Sequence, residues 1–301
     1  MSRQQRRTLD ETLQRAPHSD GPVPIEAMRA GFAALMGSFA VPTDVRREPA
    51  TLAGRPAVVV EPEGTPAPGT ILYFHGGSFS LGSPDTAMPL TAQLVRRTGV
   101  RAISLDYRLA PEHPFPAAIE DGVAAYRALL DDGAEPGSVV LAGDSAGGNL
   151  AVTTTLAARD AGLPVPAGIV AFSPALDHTR SGASMTTKEG LDPFFTRADM
   201  ERMGAVYLGD QDAAQPLAAP AVLADLTGFP PILLQVGTNE LLLDDAVRLA
   251  DRARDAGVDV VLDVTADVPH VFQAYAGTLD EADDALDRAA LFVTQRLRSP
   301  A

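Results

Sequence analysis

Ser145 stands in the stretch GDSAGG (143–148), directly after the apolar run SVVLA. Two readings compete: a tight turn that needs small residues, or a nucleophilic hydroxyl raised from the end of a strand. The pattern G-x-S-x-G between a strand and a helix favours the nucleophile. Such a turn is sharp, and Gly143 and Gly147 keep side chains out of the space beside the serine. The helix that follows puts its positive end beneath the hydroxyl. A serine hydroxyl attacks a carbonyl only when a base takes its proton. The chain has five histidines. His18 lies in the N-terminal arm, His113 in the proline-bound PEHPFP, His178 in a segment between two apolar runs, and His75 at the start of HGGSF. His270, in ADVPHVFQAY, follows the last apolar run and precedes the last helical pattern. Loops at the carboxyl ends of strands present catalytic groups in open α/β sheets, so His270 is the candidate base.

A histidine base needs an acid to fix its tautomer and stabilise its charged form. In this type of site the acid falls between serine and histidine in the chain. The stretch GTNELLLDD (237–245) offers Glu240 at a strand exit, with Asp244 and Asp245 further on, inside a helical pattern. An acid on the loop can turn toward a histidine, so Glu240 is the favoured acid and Asp244 the alternative. Glu240 could instead simply complement the dipole of the next helix. Donors for a tetrahedral oxyanion are offered by HGGSF: Gly76 and Gly77 allow backbone N–H groups to approach a ligand closely. The N–H of Ala146 would complete that hole.

Elements must hold these groups together. Short β-rich runs occur at 56–62, 70–76, 100–107, 138–144, 168–174, 231–237 and 258–264. Several are almost wholly apolar, as in strands covered on both faces. Helical patterns lie between them at 86–98, 116–131, 146–161, 240–256 and 280–297. The alternation from residue 70 onward predicts a mostly parallel central sheet with helices on both faces. The run at 56–62 is followed by a turn-rich stretch and is expected to pair antiparallel at one edge. Two segments break the rhythm: PIEAMRAGFAALMGSF near the N-terminus, and residues 175–225. Together they are expected to form a helical cap over one end of the sheet. The expected organisation is a cap segment at 1–45, core at 46–174, a cap insert at 175–225 and core again at 226–301. Phe32, Leu35, Met36 and Phe39 recur at helical spacing in the first cap segment. Phe194, Phe195, Met203 and Tyr207 do so in the second. Of these, Phe32, Met36, Phe195, Met203 and Tyr207 are the candidate substrate-binding residues, lining an apolar pocket of modest size on the acyl side.

Composition narrows the function classes. With 301 residues, 46% of them hydrophobic, the chain can bury a large core. A formal net charge of −15 argues against a nucleic-acid partner and against an anionic membrane surface. There is no cysteine, which excludes disulfides, thiol catalysis and cysteine-bound zinc. No metal-ligand cluster is visible, and the chemistry requires no cofactor. The N-terminus has basic residues but no apolar leader, and no stretch is apolar enough to span a bilayer, so a cytoplasmic protein is expected.

The stretches HGGSF, DYRLAPEHPFPAAIEDG, GDSAGGNLA, GTNELLLDD and PHVFQ, in this order, resemble the hormone-sensitive lipase family of α/β-hydrolases, in its bacterial esterase branch near the monoterpene lactone hydrolases. They cover residues 70 to 275. Two departures stand out: Ser78 replaces the third glycine of the family's HGGG, and Glu240 stands where many members have Asp. The resemblance implies Ser145 as nucleophile, His270 as general base and acid, Glu240 as the orienting acid, and an oxyanion hole from Gly76, Gly77 and Ala146. It implies a supporting role for Asp106, Arg108 and Glu112, and marks GASM (182–185) as a further motif at the cap. The implied activity is hydrolysis of short- to medium-chain acyl esters through an acyl-enzyme. A cyclic terpene-like lactone or an amide-bearing metabolite is the alternative substrate. A non-catalytic small-molecule receptor of this fold would lack the histidine that His270 supplies. The resemblance also points to a homodimer through the last strand, whose edge needs cover.

Overall fold

A computed structural model describes residues 2–13 and 23–298; His18 lies outside them. The elements run α1 (Ser2–Leu13), α2 (Ile25–Met36), β1 (Val45–Leu52), β2 (Arg55–Pro62), β3 (Ala67–Phe74), α3 (Met88–Thr98), β4 (Val100–Leu105), α4 (Ala117–Asp131), β5 (Val139–Asp144), α5 (Ala146–Asp160), β6 (Gly168–Phe172), α6 (Ser184–Thr187), α7 (Arg197–Leu208), α8 (Pro220–Leu223), β7 (Ile232–Gly237), α9 (Leu243–Asp255), β8 (Val260–Thr265) and α10 (Asp280–Arg298). One eight-stranded sheet has the order β1-β2-β4-β3-β5-β6-β7-β8. From β4 to β8 every pairing is parallel, and β1 and β2 run antiparallel at one end.

The strands are apolar because both faces are covered. Successive residues of a strand point to opposite sides. Ile71 and Tyr73 of β3 therefore pack with Val140, Val170 and Leu233 against Leu90 and Leu94 of α3 and Leu286, Ala289 and Val293 of α10. Leu72 and Phe74 pack on the other face with Leu141, Ile169 and Leu234 against Ile119 of α4, Leu150 of α5 and Leu249 of α9.

The expected edge position of the 56–62 strand needs correction. β2 is antiparallel to β4, but β1 covers its other side over the full register Val45↔Pro62 to Leu52↔Arg55. β1 (VRREPATL) is mostly exposed, so it lacks the apolar signature that reveals the inner strands. The helical pattern at 240–256 begins as α9 only at Leu243. Glu240 is thereby left in the turn that follows β7.

The two segments outside the sheet rhythm contribute α2 and the stretch from β6 to β7. A capping box starts α7: the Thr196 side chain accepts from the N–H of Asp199, and the Asp199 side chain accepts from the N–H of Thr196. Among the described residues, no helix is long and apolar enough to cross a membrane.

Candidate active site

The site lies at the carboxyl ends of β3, β5, β6 and β7, the usual place for ligands in a sheet of this kind. Ser145 occupies the turn between β5 and α5 with φ 53° and ψ −116°. A left-handed φ at a residue with a side chain costs about 1–3 kcal/mol, and the surrounding packing enforces it. A Cβ added at Gly147 would stand 1.9 Å from the carbonyl oxygen of Phe74, and one at Gly143 would stand 2.3 Å from that of Gly147. Only glycines fit where the turn presses against β3.

Ser145, His270 and Glu240 form one relay. The Ser145 hydroxyl lies 2.9 Å from His270 Nε2, and His270 Nδ1 lies 2.9 Å from Glu240 Oε2. Asp244 is elsewhere: its carboxylate accepts from the N–H of Ser184 at 2.9 Å. Between the two acids offered by the sequence, Glu240 is the one that meets the histidine. Its other oxygen, Oε1, accepts from the Ser173 hydroxyl at 2.8 Å and from the N–H of Gly237. The Ser173 oxygen in turn accepts from the N–H of Val271 at 3.0 Å. Ser173 thus ties acid and histidine loops together, with both Ser173 (φ 46°) and Val271 (φ 50°) in the left-handed region. Sequence reasoning missed Ser173; the only trace was its place directly after an apolar strand, in AFSP.

Burial disfavours the charged form of His270. The hydrogen bond and charge of Glu240, with the charges of Asp192 and Asp144, outweigh that and raise its pKa above the ordinary value of 6.5. Asp192 is another residue that the sequence did not single out. It accepts from the N–H of Leu241 at 2.9 Å and from those of Phe194 and Phe195 at 2.9 and 3.1 Å. That carboxylate locks the loop bearing Phe195 to the loop bearing Glu240. Phe195 then stands edge-on to His270, ring centroids 5.1 Å apart.

The GASM motif now has a structural role. Ser184 donates its hydroxyl to the carbonyl of Leu241 at 2.6 Å, and its oxygen accepts from the N–H of Asp244 at 3.2 Å. It therefore clamps the turn that carries Glu240.

Of the expected oxyanion donors, Gly76 packs against the Asp144 carboxylate: a Cβ at 76 would lie 2.2 Å from Asp144 Oδ2. Gly76 lines neither cavity beside Ser145, whereas Gly77 and Ser78 do. Ser78 (φ 53°) holds the left-handed conformation that a glycine takes without strain. His75 explains the orientation of the loop. Its Nδ1–H donates to the Gly76 carbonyl at 2.7 Å, and its ring stacks on Tyr107 at 4.1 Å. Burial lowers its pKa to about 4, so it stays neutral in that role. Asp144, missed at the sequence level although it is the x of G-x-S, also accepts from the Tyr73 hydroxyl at 2.8 Å. Burial raises its pKa to about 6.

The supporting segment behind this loop is anchored as the resemblance implied, with one difference. Arg108 binds Asp121 at 2.9 Å, and Glu112 holds Arg29 of α2 through two bonds of 2.7 Å. Arg29 also donates to the carbonyl of Ser80 at 2.9 Å, joining α2 to the HGGSF loop. Asp106 contributes its carbonyl, to Arg55. His113 is on the surface.

Two cavities flank Ser145. The larger, about 190 Å³, is lined by Phe32, Leu35, Met36 and Phe39 on one side, and by Phe194, Phe195, His270 and Tyr275 on the other. The smaller, about 20 Å³, lies beside Ala146 and is lined by Ala175, His178, Arg180, Met200, Met203 and Gly204. Phe195 and Ser78 border both. Of the expected substrate-binding residues, Phe32, Met36 and Phe195 reach the larger cavity and Met203 the smaller. Tyr207 reaches neither. Its ring is buried and stacked 3.7 Å from that of Phe79, with Phe115 edge-on at 5.7 Å. Helical spacing places it on the inner face of α7, one layer behind the cavity.

A family model described as the alpha/beta hydrolase fold matches residues 71–274. An acetyl-hydrolase of Streptomyces hygroscopicus is 46% identical over 224 residues, which cover 74% of this chain and 75% of that protein. An esterase of Acinetobacter venetianus is 36% identical over 225 residues, 74% of each chain. Among solved structures, a hormone-sensitive lipase from a metagenome library superposes with a TM-score of 0.92 at 39% identity, covering 99% of this chain and 98% of that one. An esterase soaked with p-nitrophenyl butyrate superposes with a TM-score of 0.93 at 39% identity, covering 98% and 99%. A chain matched along this length, with Ser145, His270 and Glu240 in hydrogen-bond contact at the ends of its strands, belongs to the hormone-sensitive lipase family of α/β-hydrolases.

Proposed function

We propose that this protein is a serine carboxylesterase selective for short acyl groups, with Ser145 as nucleophile. The observation that carries the reading is the unbroken relay from Glu240 through His270 to the Ser145 hydroxyl. His270 Nε2 takes the hydroxyl proton as Ser145 Oγ attacks the ester carbonyl. The N–H groups of Gly77, Ser78 and Ala146 receive the oxyanion. His270 then returns the proton to the departing alcohol, and water repeats the cycle to release the acid. The role of Glu240 is to hold His270 with Nδ1 protonated and to stabilise its cationic form.

The two cavities divide the substrate. His270 must protonate the departing oxygen, so the alcohol lies on the histidine's side of Ser145. The cavity of about 190 Å³ contains His270 and takes the alcohol. The cavity of about 20 Å³ beside Ala146 takes the acyl chain. A cavity so small suits short acyl groups and leaves no room for a long chain. Phe32, Met36 and Phe195 therefore serve the alcohol, and Met203 the acyl side. The segments carrying them act as the cap. The relative called an acetyl-hydrolase supports the same preference. A homodimer through the open edge of β8, where Val261 and Val264 are exposed, belongs to the same proposal; light scattering at micromolar protein would give twice the chain mass. Residence in the cytoplasm belongs to it too.

A p-nitrophenyl ester series from acetate to laurate tests the acyl assignment. Maximal kcat/KM at acetate to butyrate, with a steep fall beyond, is expected. Equal turnover of laurate would contradict it.

A further inference from the structure

We propose that the acyl cavity contains a hydrogen-bonding subsite, in which Arg180 and His178 select short acyl groups bearing a neutral acceptor oxygen. This inference rests on the reading of Ser145 as nucleophile and of the small cavity as the acyl site. The two side chains line that cavity together with Ser145 and Ala146. Each is more than nine-tenths buried, at 7% exposure for Arg180 and 8% for His178. A guanidinium so deep in an apolar cap is costly unless its donors are used.

Those donors are incompletely used. Arg180 Nη1 reaches the Asp177 carbonyl at 3.3 Å, and Nη2 reaches the Met200 carbonyl at 3.3 Å and His178 Nδ1 at 3.4 Å. Arg180 Nε and His178 Nε2 are buried with no hydrogen-bond partner among the described residues. Because Nδ1 faces a guanidinium donor, the proton of the neutral imidazole sits on Nε2. Both unpartnered atoms are therefore N–H donors, and their complement is an acceptor.

Charge decides which acceptor. Asp245, Asp177 and Glu201 all act on Arg180 through their charge. None forms an ion pair with it among the described residues, because the two buried acids are engaged elsewhere. Asp245 accepts from the N–H groups of Leu176 and Asp177 at 2.7 and 2.9 Å, and Asp177 is paired with Arg248 at 3.0 Å. The field of those acids offsets part of the guanidinium's charge, while its Nε–H has no partner among the described residues. A substrate carboxylate would meet the repulsion of the same acids. An ether, keto or hydroxyl oxygen would satisfy the donors without that cost.

The test compares p-nitrophenyl methoxyacetate with p-nitrophenyl butyrate. The acyl groups have the same length and differ by one oxygen for one methylene. The readout is the ratio of their kcat/KM values, each corrected for its rate of hydroxide hydrolysis, in wild type, Arg180→Met and His178→Leu. A hydrogen bond to a charged donor makes the expected ratio well above one in wild type, falling about tenfold or more in Arg180→Met. A smaller fall is expected in His178→Leu. The ratio cancels any general loss of activity. If Arg180→Met does not fold, His178→Leu alone decides. An unchanged ratio in the folded variants would overturn the subsite. No hydrolysis of butyrate by wild type would instead overturn the esterase reading beneath it.

Discussion

Glu240 uses both carboxylate oxygens, one on His270 Nδ1 and the other on Ser173 and the Gly237 amide. That division makes separable predictions. Glu240→Gln preserves size but can present its amide N–H₂ to Nδ1 and so stabilise the wrong tautomer; a loss of about 10⁴ in kcat is expected. Asp244→Asn should leave kcat within a few-fold, since Asp244 caps Ser184 and does not touch the histidine. Equal losses in the two variants would reverse the assignment of the acid. The pH profile follows from the same contacts. His270 must be neutral to accept a proton, and its pKa is raised. Activity should therefore rise with pH through a midpoint above 6.5, and Glu240→Gln should move the limb to lower pH. The serine, histidine and acid that the structure brings into contact were legible in the sequence because motif, chain order and strand-end position all point to them. Ser173, Asp144 and Asp192 were not, because each acts through a contact that only the fold creates. That Ser78 and not Gly76 lines the cavities beside Ser145 was equally hidden. Residue type reveals where a backbone can bend, but not which way its amide then faces.

At the scale of elements, the contact between the β5–α5 turn and β3 decides whether Ser145 is presented at all. Gly147→Ala would drive a methyl into the Phe74 carbonyl at 1.9 Å, against rigid strand backbone. A loss of several kcal/mol of stability is expected, seen as a drop of several degrees or more in Tm together with lost activity. A fully stable, active Gly147→Ala protein would show that the turn is looser than drawn. Apolar runs disclosed the inner strands because both faces of the sheet are buried. The same logic concealed β1, whose outward residues are Arg, Glu and Pro at the sheet edge. It also misplaced Tyr207: a period of 3.6 identifies the inner face of α7 without dividing that face between the cavity and the layer behind it.

Across the whole molecule, the insert between β6 and β7 is fastened to α9 by buried charge. Asp245 is enclosed beside Arg180 and Asp177, and burial raises its pKa to about 7. The sign follows from linkage. A carboxyl with pKa 3.8 in the unfolded chain and about 7 in the folded one binds more proton when folded, so its contribution is fully present below pH 3.8 and lost as pH rises through 7. Asp144, at about 6, acts in the same direction. Thermal unfolding between pH 4 and 8 should therefore show a downward slope from these two groups. Asp245→Asn should flatten it, and an unaltered slope in that variant would contradict the assignment. Composition argued against a nucleic-acid partner and, with no cysteine, excluded thiol chemistry. It held no sign of this internal network, which joins residues far apart in the chain.

The central claim is that Ser145 forms the covalent intermediate, and labelling with phenylmethylsulfonyl fluoride tests it most directly. One sulfonyl group per chain should be incorporated in step with loss of esterase activity, and peptide mass spectrometry should locate it on Ser145. A label on another residue, or full activity in a protein sulfonylated at Ser145, would contradict the account.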